Sequence, residues 1–151
     1  MAVQEEFISI NTTPDVVERY LTKPELLARW RSPLVTLEPV EGELFALNSV
    51  HRMRLKTLFL AGASYKVVER DNQHILMMIE GFWEGSDLWR WFADGSRTVV
   101  QNRVDFTMSN QTLRVFAVNL GTLFSRLDMQ IQMQKLQQVI EEGEPKAKAT
   151  V

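Results

Sequence analysis

The hydrophobic period of this chain changes once, and the change separates a strand-rich body from one long helix. Between Pro33 and Met108 no stretch carries a sustained 3.6-residue apolar repeat; short apolar runs alternate with polar pairs instead. Beyond Asn110 the repeat begins. Leu113, Phe116, Leu120, Phe124, Leu127 and Ile131 recur at three and four residues, one stripe of a helix predicted over about 110–142. A second stripe, Val118, Met129, Met133, Leu136 and Ile140, lies on another side, so this helix is expected to be covered on two faces, by the first strand or by a second copy of the chain.

The N-terminal third supplies the remaining elements. Val3 to Ile10 reads as a strand, and Thr13 followed by Pro14 starts a short helix to about Leu21. Thr22-Lys23-Pro24-Glu25 repeats the device as a capping box and launches a second short helix, whose Leu26, Leu27 and Trp30 must pack inward. The body then divides into strands over 34–40, 48–58, 63–70, 74–83, 86–93 and 97–108, with turns at Glu41-Gly42, Asp71-Asn72, Glu84-Gly85 and Asp94-Gly95. Residues 1–142 form one expected domain, and 143–151 (GEPKAKATV) an expected flexible tail.

Hairpin pairing decides what the tryptophans face, since three of the four lie between Trp83 and Trp91. A two-residue Asp94-Gly95 turn would pair Trp91 with Thr98, Trp89 with Val100 and Asp87 with Asn102, all on one side of the sheet. The opposite side, with Arg90, Arg97 and Gln101, is mixed and solvent-like, so the tryptophans point inward. A Glu84-Gly85 turn carries the same reasoning back to Glu80 beside Trp89 and Met78 beside Trp91; alternation adds Tyr65, Val67, Met53, Leu55 and His51. The expected inner face is thus aromatic and methionine-rich, yet interrupted by Tyr65, Glu80, Asp87, Asn102 and His51. Two readings fit: hydrated strand ends with mutually satisfied polar groups, or a ligand cavity with a few orienting polar atoms.

Strand, two short helices, antiparallel sheet and long terminal helix make the helix-grip order of an α+β protein. Over about residues 3–142 the sequence resembles the START-like, or SRPBCC, superfamily, which includes birch-pollen-type allergens, polyketide cyclases and lipid-transfer domains. The resemblance is carried by TPDVVERYLTKPELLARW (13–30), YKVVERDNQHILMMIEG (65–81), DGSRTVVQNRVDF (94–106) and the terminal helix. It implies a curved sheet of six to seven strands, with the long helix closing a hydrophobic cavity lined by Trp89, Trp91, Asn102, Phe116, Leu120 and Phe124.

Composition excludes several chemistries. A formal charge of −2 argues against a DNA-binding role, and the absence of cysteine removes disulfides, thiolate nucleophiles and the usual structural zinc sites. Two histidines, His51 and His74, are too few for a metal centre, and no nucleotide or nucleophile-elbow motif occurs, so no metal or cofactor is expected. The N-terminus lacks a signal-peptide pattern, and the apolar run 115–125 is about half the roughly 20 residues a transmembrane helix needs. A cytoplasmic, soluble monomer or homodimer is expected.

Function follows from the inner face. The leading expectation is a binding or carrier domain for a hydrophobic or amphipathic small molecule, with Met53, Tyr65, Met78, Glu80, Trp89, Trp91, Asn102, Phe116, Leu120 and Phe124 as its contacts. The alternatives are a cyclase-like enzyme moving a proton through Glu80, Tyr65 and His51, and an interaction module. The last would use Arg52, Arg54, Lys56, Lys66 and Arg70, an outward basic strip fit for a peripheral membrane surface or RNA.

Overall fold

The computed structural model describes residues 2–33, 35–55, 58–107 and 126–143. Strand β1 (Ala2–Ile10) is followed by α1 (Pro14–Thr22) and α2 (Pro24–Leu27), each opened by the proline the sequence places there. The expected capping box does not form, because Lys23 rather than Thr22 precedes α2 and Thr22 Oγ1 donates to the Glu18 carbonyl (2.7 Å); Thr13 makes no side-chain cap hydrogen bond either. Then come β2 (Val35–Glu41), β3 (Val50–Leu55), β4 (Leu58–Arg70), β5 (His74–Gly81), β6 (Glu84–Asp94) and β7 (Arg97–Thr107), and finally α3 (Arg126–Gly143). The residues before Arg126 that carry Leu113, Phe116, Leu120 and Phe124 lie outside the described residues.

All seven strands form one antiparallel sheet in the order β1-β7-β6-β5-β4-β3-β2. Five of its six pairings join strands adjacent in sequence, so nearly all the sheet is a meander. The exception, β1 on β7, puts the first two strands at opposite edges, and α1 and α2 must therefore span one sheet face between them. Helix α3 packs on β1 and α1. It buries Met133, Leu136 and Ile140, whereas Ile131 is exposed. The second apolar stripe is thus the one that packs in this segment. Gln130 Nε2 donates to Glu6 Oε1 (3.0 Å), and Gln137 Nε2 to the Ser9 carbonyl (2.9 Å), tying α3 to the edge strand.

Register corrects the sequence reading in three places. The β6–β7 turn is Gly95-Ser96, with Asp94 opposite Arg97, because Gly95 takes the left-handed φ of +63° needed at the first central position of a primed two-residue turn. Every pairing shifts by two, to Trp91–Val100 and Trp89–Asn102, and the inward face survives because the side-chain period is also two. The β5–β6 connection is longer than a Glu84-Gly85 turn: Ile79 pairs with Gly85 and Ile75 with Trp89. That displacement is odd, so Ile75, Met77 and Ile79 are buried, while Met78 and Glu80 turn to the outer face. Finally, a register shift between Val67 and Glu69 changes the side of the following residue, and Arg70 leaves the predicted basic strip for the interior side.

Gly85 has a φ of +150°, and a Cβ there would collide with the backbone carbonyl of Asp105 on β7. Only glycine lets the two strands approach so closely at this point.

Candidate functional site

The inner face is built from alternate residues of β3 to β7, among them Met53, Tyr65, Val67, Ile75, Met77, Trp89, Trp91 and Val100, all buried. Trp83 joins them from the β5–β6 connection and is 1% exposed. From the helical side Trp30 meets Trp89 edge to face, with ring centroids 5.7 Å apart, and its Nε1 donates to the Tyr20 carbonyl (2.9 Å). This aromatic surface carries a small number of buried polar groups.

Asp87 on β6 is 6% exposed, and its Oδ1 accepts a hydrogen bond from Asn102 Nδ2 (2.8 Å). The same amide nitrogen donates to the Leu88 carbonyl (3.2 Å). Burial pushes the Asp87 carboxyl up to about 6, against the opposing pull of the Arg31 guanidinium and the Asn102 hydrogen bond. Tyr65 accepts at its hydroxyl oxygen from Trp83 Nε1 (2.9 Å), and burial raises its pKa far enough that it remains a neutral phenol.

His51 stacks on Tyr65, with centroids 5.4 Å apart and planes at 21°, and meets Phe45 edge-on at 5.1 Å. Burial, assisted by the positive charge of Arg31, pushes its imidazole down to about 4, so the ring is neutral at neutral pH. Phe45 holds a left-handed φ of +67°, a strained conformation for a bulky residue, costing roughly 1–2 kcal/mol. Its carbonyl accepts from Arg70 Nε (3.2 Å), while Arg70 Nη2 reaches Glu18 Oε2 (2.7 Å). The strained loop is thus clamped from β4, beside His51.

Five buried polar atoms have no hydrogen-bond partner among the described residues: Arg31 Nε, Ser49 Oγ, both ring nitrogens of His51, and Trp91 Nε1. Each such atom costs about 1–3 kcal/mol when left unpaired, and native interiors keep few of them. Four belong to donors or donor–acceptors set among aromatic rings, the composition of a site that orients a largely apolar molecule by a few polar contacts. A neutral imidazole, a phenol and a carboxyl group of pKa about 6 also constitute groups able to accept or hold a proton.

Of the residues singled out in the sequence, Met53, Tyr65, Trp89, Trp91 and Asn102 share this inner face. Met78 and Glu80 do not. They border an open depression of about 540 Å³ with Glu84, Ser86 and Asp105 at the ends of β5, β6 and β7, which removes Glu80 from any proton relay with Tyr65 and His51. Phe116, Leu120 and Phe124 lie outside the described residues. In the basic strip, Arg52, Arg54 and Lys66 are exposed, with Glu38 3.8 Å from Arg54, and Lys56 is outside the described residues. Arg31 went unnoticed in the sequence because it follows the end of a four-residue helix, where no periodicity assigns a direction. The adjacent inward Trp30 was the one available signal.

Among the described residues, no group of three or more His, Cys, Asp or Glu is placed to hold a metal ion, and no helix is long and apolar enough to cross a membrane.

Comparison with known proteins agrees with this architecture. No curated protein matches the sequence. Among solved structures, the Aha1 dimer from Colwellia psychrerythraea superposes with a TM-score of 0.67 at 14% identity, covering 95% of this chain and 99% of the other. A protein of Thermus thermophilus gives 0.69 at 13% identity, with 95% and 99% covered. A Thalictrum norcoclaurine synthase point mutant, in complex with a transition-state analogue, gives 0.66 at 12% identity, with 95% and 96% covered. At these identities the likeness shows a shared fold, the helix grip of SRPBCC-type proteins. The family model described as polyketide cyclase / dehydrase and lipid transport matches residues 1–141, and the chain belongs to that family.

Proposed function

We propose that this protein is a binding or carrier domain for a hydrophobic or amphipathic small molecule, held between the inner face of the sheet and the C-terminal helical region. The observation that carries this reading is the set of unpaired polar atoms on Arg31, His51 and Trp91, embedded in a largely apolar, aromatic wall. Trp89, Trp91 and Met53 would give apolar contact, Tyr65 and Asn102 polar orientation, and Phe116, Leu120 and Phe124 the cover. Native mass spectrometry of the purified protein, followed by organic extraction, tests it. A stoichiometric small-molecule adduct is expected, and a clean apo mass that no apolar compound library shifts counts against it.

One observation favours a second reading, a cyclase-like enzyme using the same inner face. Asp87, rather than Glu80, is a buried carboxyl group with its pKa lifted to about 6, on the same face as Tyr65 and His51. In that case ligand would be consumed, and Asp87→Asn would abolish turnover while leaving binding intact. Turnover surviving in Asp87→Asn removes this carboxyl from the chemistry.

A further inference from the structure

Between α2 and the edge strand β2 lies a cleft of about 180 Å³, walled by Pro24, Leu27, Val35, Leu37 and Leu44. Arg31 is the one charged side chain among its described lining residues. On the far side of Arg31 and Leu27 is a gap of only about 10 Å³, bounded by Trp30, Phe45, Ile75 and Trp89, room for a single water. Arg31 and Leu27 line both spaces. Arg31 therefore forms the partition between an open apolar cleft and the packed aromatic interior.

The partition is chemically incomplete. The guanidinium lies over the Trp30 ring, 5.3 Å from its centroid, and its enclosed Nε–H has no acceptor among the described residues. The Asp87 carboxyl acts on this guanidinium electrostatically but leaves the Nε–H without an acceptor, and an arginine in this state can still take an oxygen anion, to which the planar fork offers parallel N–H donors. The walls call for a short apolar body. A cavity of roughly 150 Å³ accommodates benzene, so the available room corresponds to one ring or a short alkyl chain.

We infer that the α2–β2 cleft is a subsite for a small carboxylic acid, monocyclic or short-chain, whose carboxylate is bound by Arg31 and whose apolar body lies against Leu27, Leu37 and Leu44. This names the ligand class for the binding reading above and rests on it. No bond is made or broken; the step is capture of an anion by a half-buried cation whose Nε–H is enclosed.

The test is isothermal titration calorimetry of the full chain with benzoate and with its uncharged isostere benzamide. Wild type is expected to bind benzoate at least roughly tenfold more tightly than benzamide, the scale of one charge-assisted hydrogen-bonded pair. Arg31→Met keeps the apolar stem and should abolish that preference, bringing the benzoate and benzamide affinities together. Arg31→Lys should retain part of it, and Leu37→Trp, which fills the cleft and leaves Arg31 in place, should lose both probes. Thermal unfolding establishes that each variant is folded. If Arg31→Met does not fold, the wild-type ratio and Leu37→Trp decide the matter. Equal affinities in wild type, or a benzoate preference that survives Arg31→Met or Leu37→Trp, overturn the inference. A native adduct in a protein that binds neither probe also overturns it while the carrier reading stands; no adduct and no probe binding remove both.

Discussion

Replacing Asp87 by asparagine should stabilise this protein at neutral pH, and the size of the effect follows from its surroundings. The carboxyl group is 6% exposed, and its pKa is raised from the ordinary 3.8 to about 6. Below 3.8 the group is protonated in both folded and unfolded chains, and its contribution to folding is fully retained. As pH rises through 6 the folded protein must ionise a carboxyl that the unfolded chain ionises more easily, so stability falls. At about 1.4 kcal/mol for each pH unit separating the two values, the penalty reaches about 3 kcal/mol by about pH 8 and is about 1 kcal/mol at about pH 4.5. The asparagine side chain would keep an acceptor for Asn102 Nδ2 without the charge. Urea unfolding should therefore show Asp87→Asn more stable by about 3 kcal/mol at about pH 8, roughly 6–12 °C in melting temperature for a chain of this size, with the gain shrinking as the pH is lowered towards 4.5. His51 works in the same window with the opposite sign. Its pKa is lowered from 6.5 to about 4, so stability present above 6.5 is lost as pH falls through 4. The two trends oppose each other in wild type; Asp87→Asn unmasks a stability that rises with pH, and His51→Phe one that falls. A destabilised Asp87→Asn at alkaline pH, or a gain of the same size at both pH values, would refute the claim that this carboxylate is buried without full compensation.

Three other substitutions separate the forces at work. Gly85→Ala places a methyl against the Asp105 carbonyl and should lower stability by about 3 kcal/mol or more, whereas Gly95→Ala meets nothing within 4 Å and should cost only the roughly 1–2 kcal/mol of its left-handed φ; paired urea titrations compare them. Trp83→Phe removes the hydrogen bond to the Tyr65 hydroxyl, and a double-mutant cycle with Tyr65→Phe should yield a coupling of about 1 kcal/mol, with zero coupling contradicting the bond. Glu80→Gln, on the outer face, should leave both stability within about 0.5 kcal/mol and any ligand affinity unchanged, as measured by the same titrations.

The order of elements and the inward direction of the tryptophans were legible because they rest on period and parity. The turn at Gly95 was misplaced by one residue, which moved the pairings by two, and Trp89 and Trp91 kept their face. The connection after Ile79 differed by an odd number, and Met78 and Glu80 changed sides. No local signal marks this difference, since Gly81, Trp83 and Gly85 read equally well as the end of a strand or the start of one. The bulge after Val67 turned Arg70 inward in the same way, and its partner there, Glu18, is distant in sequence.

What the sequence by itself determined was therefore everything that depends on short-range repetition: the meander, the proline-opened short helices, the terminal helix and the apolar character of one sheet face. The tertiary structure alone decided which polar groups meet inside. Arg31, Asp87, Tyr65 and His51 come from four different segments of the chain, and their charge states depend on mutual distance and exclusion of water, both of which arise only when the helices pack against the sheet. Local propensity gives those residues positions along the chain; packing gives them one another as neighbours.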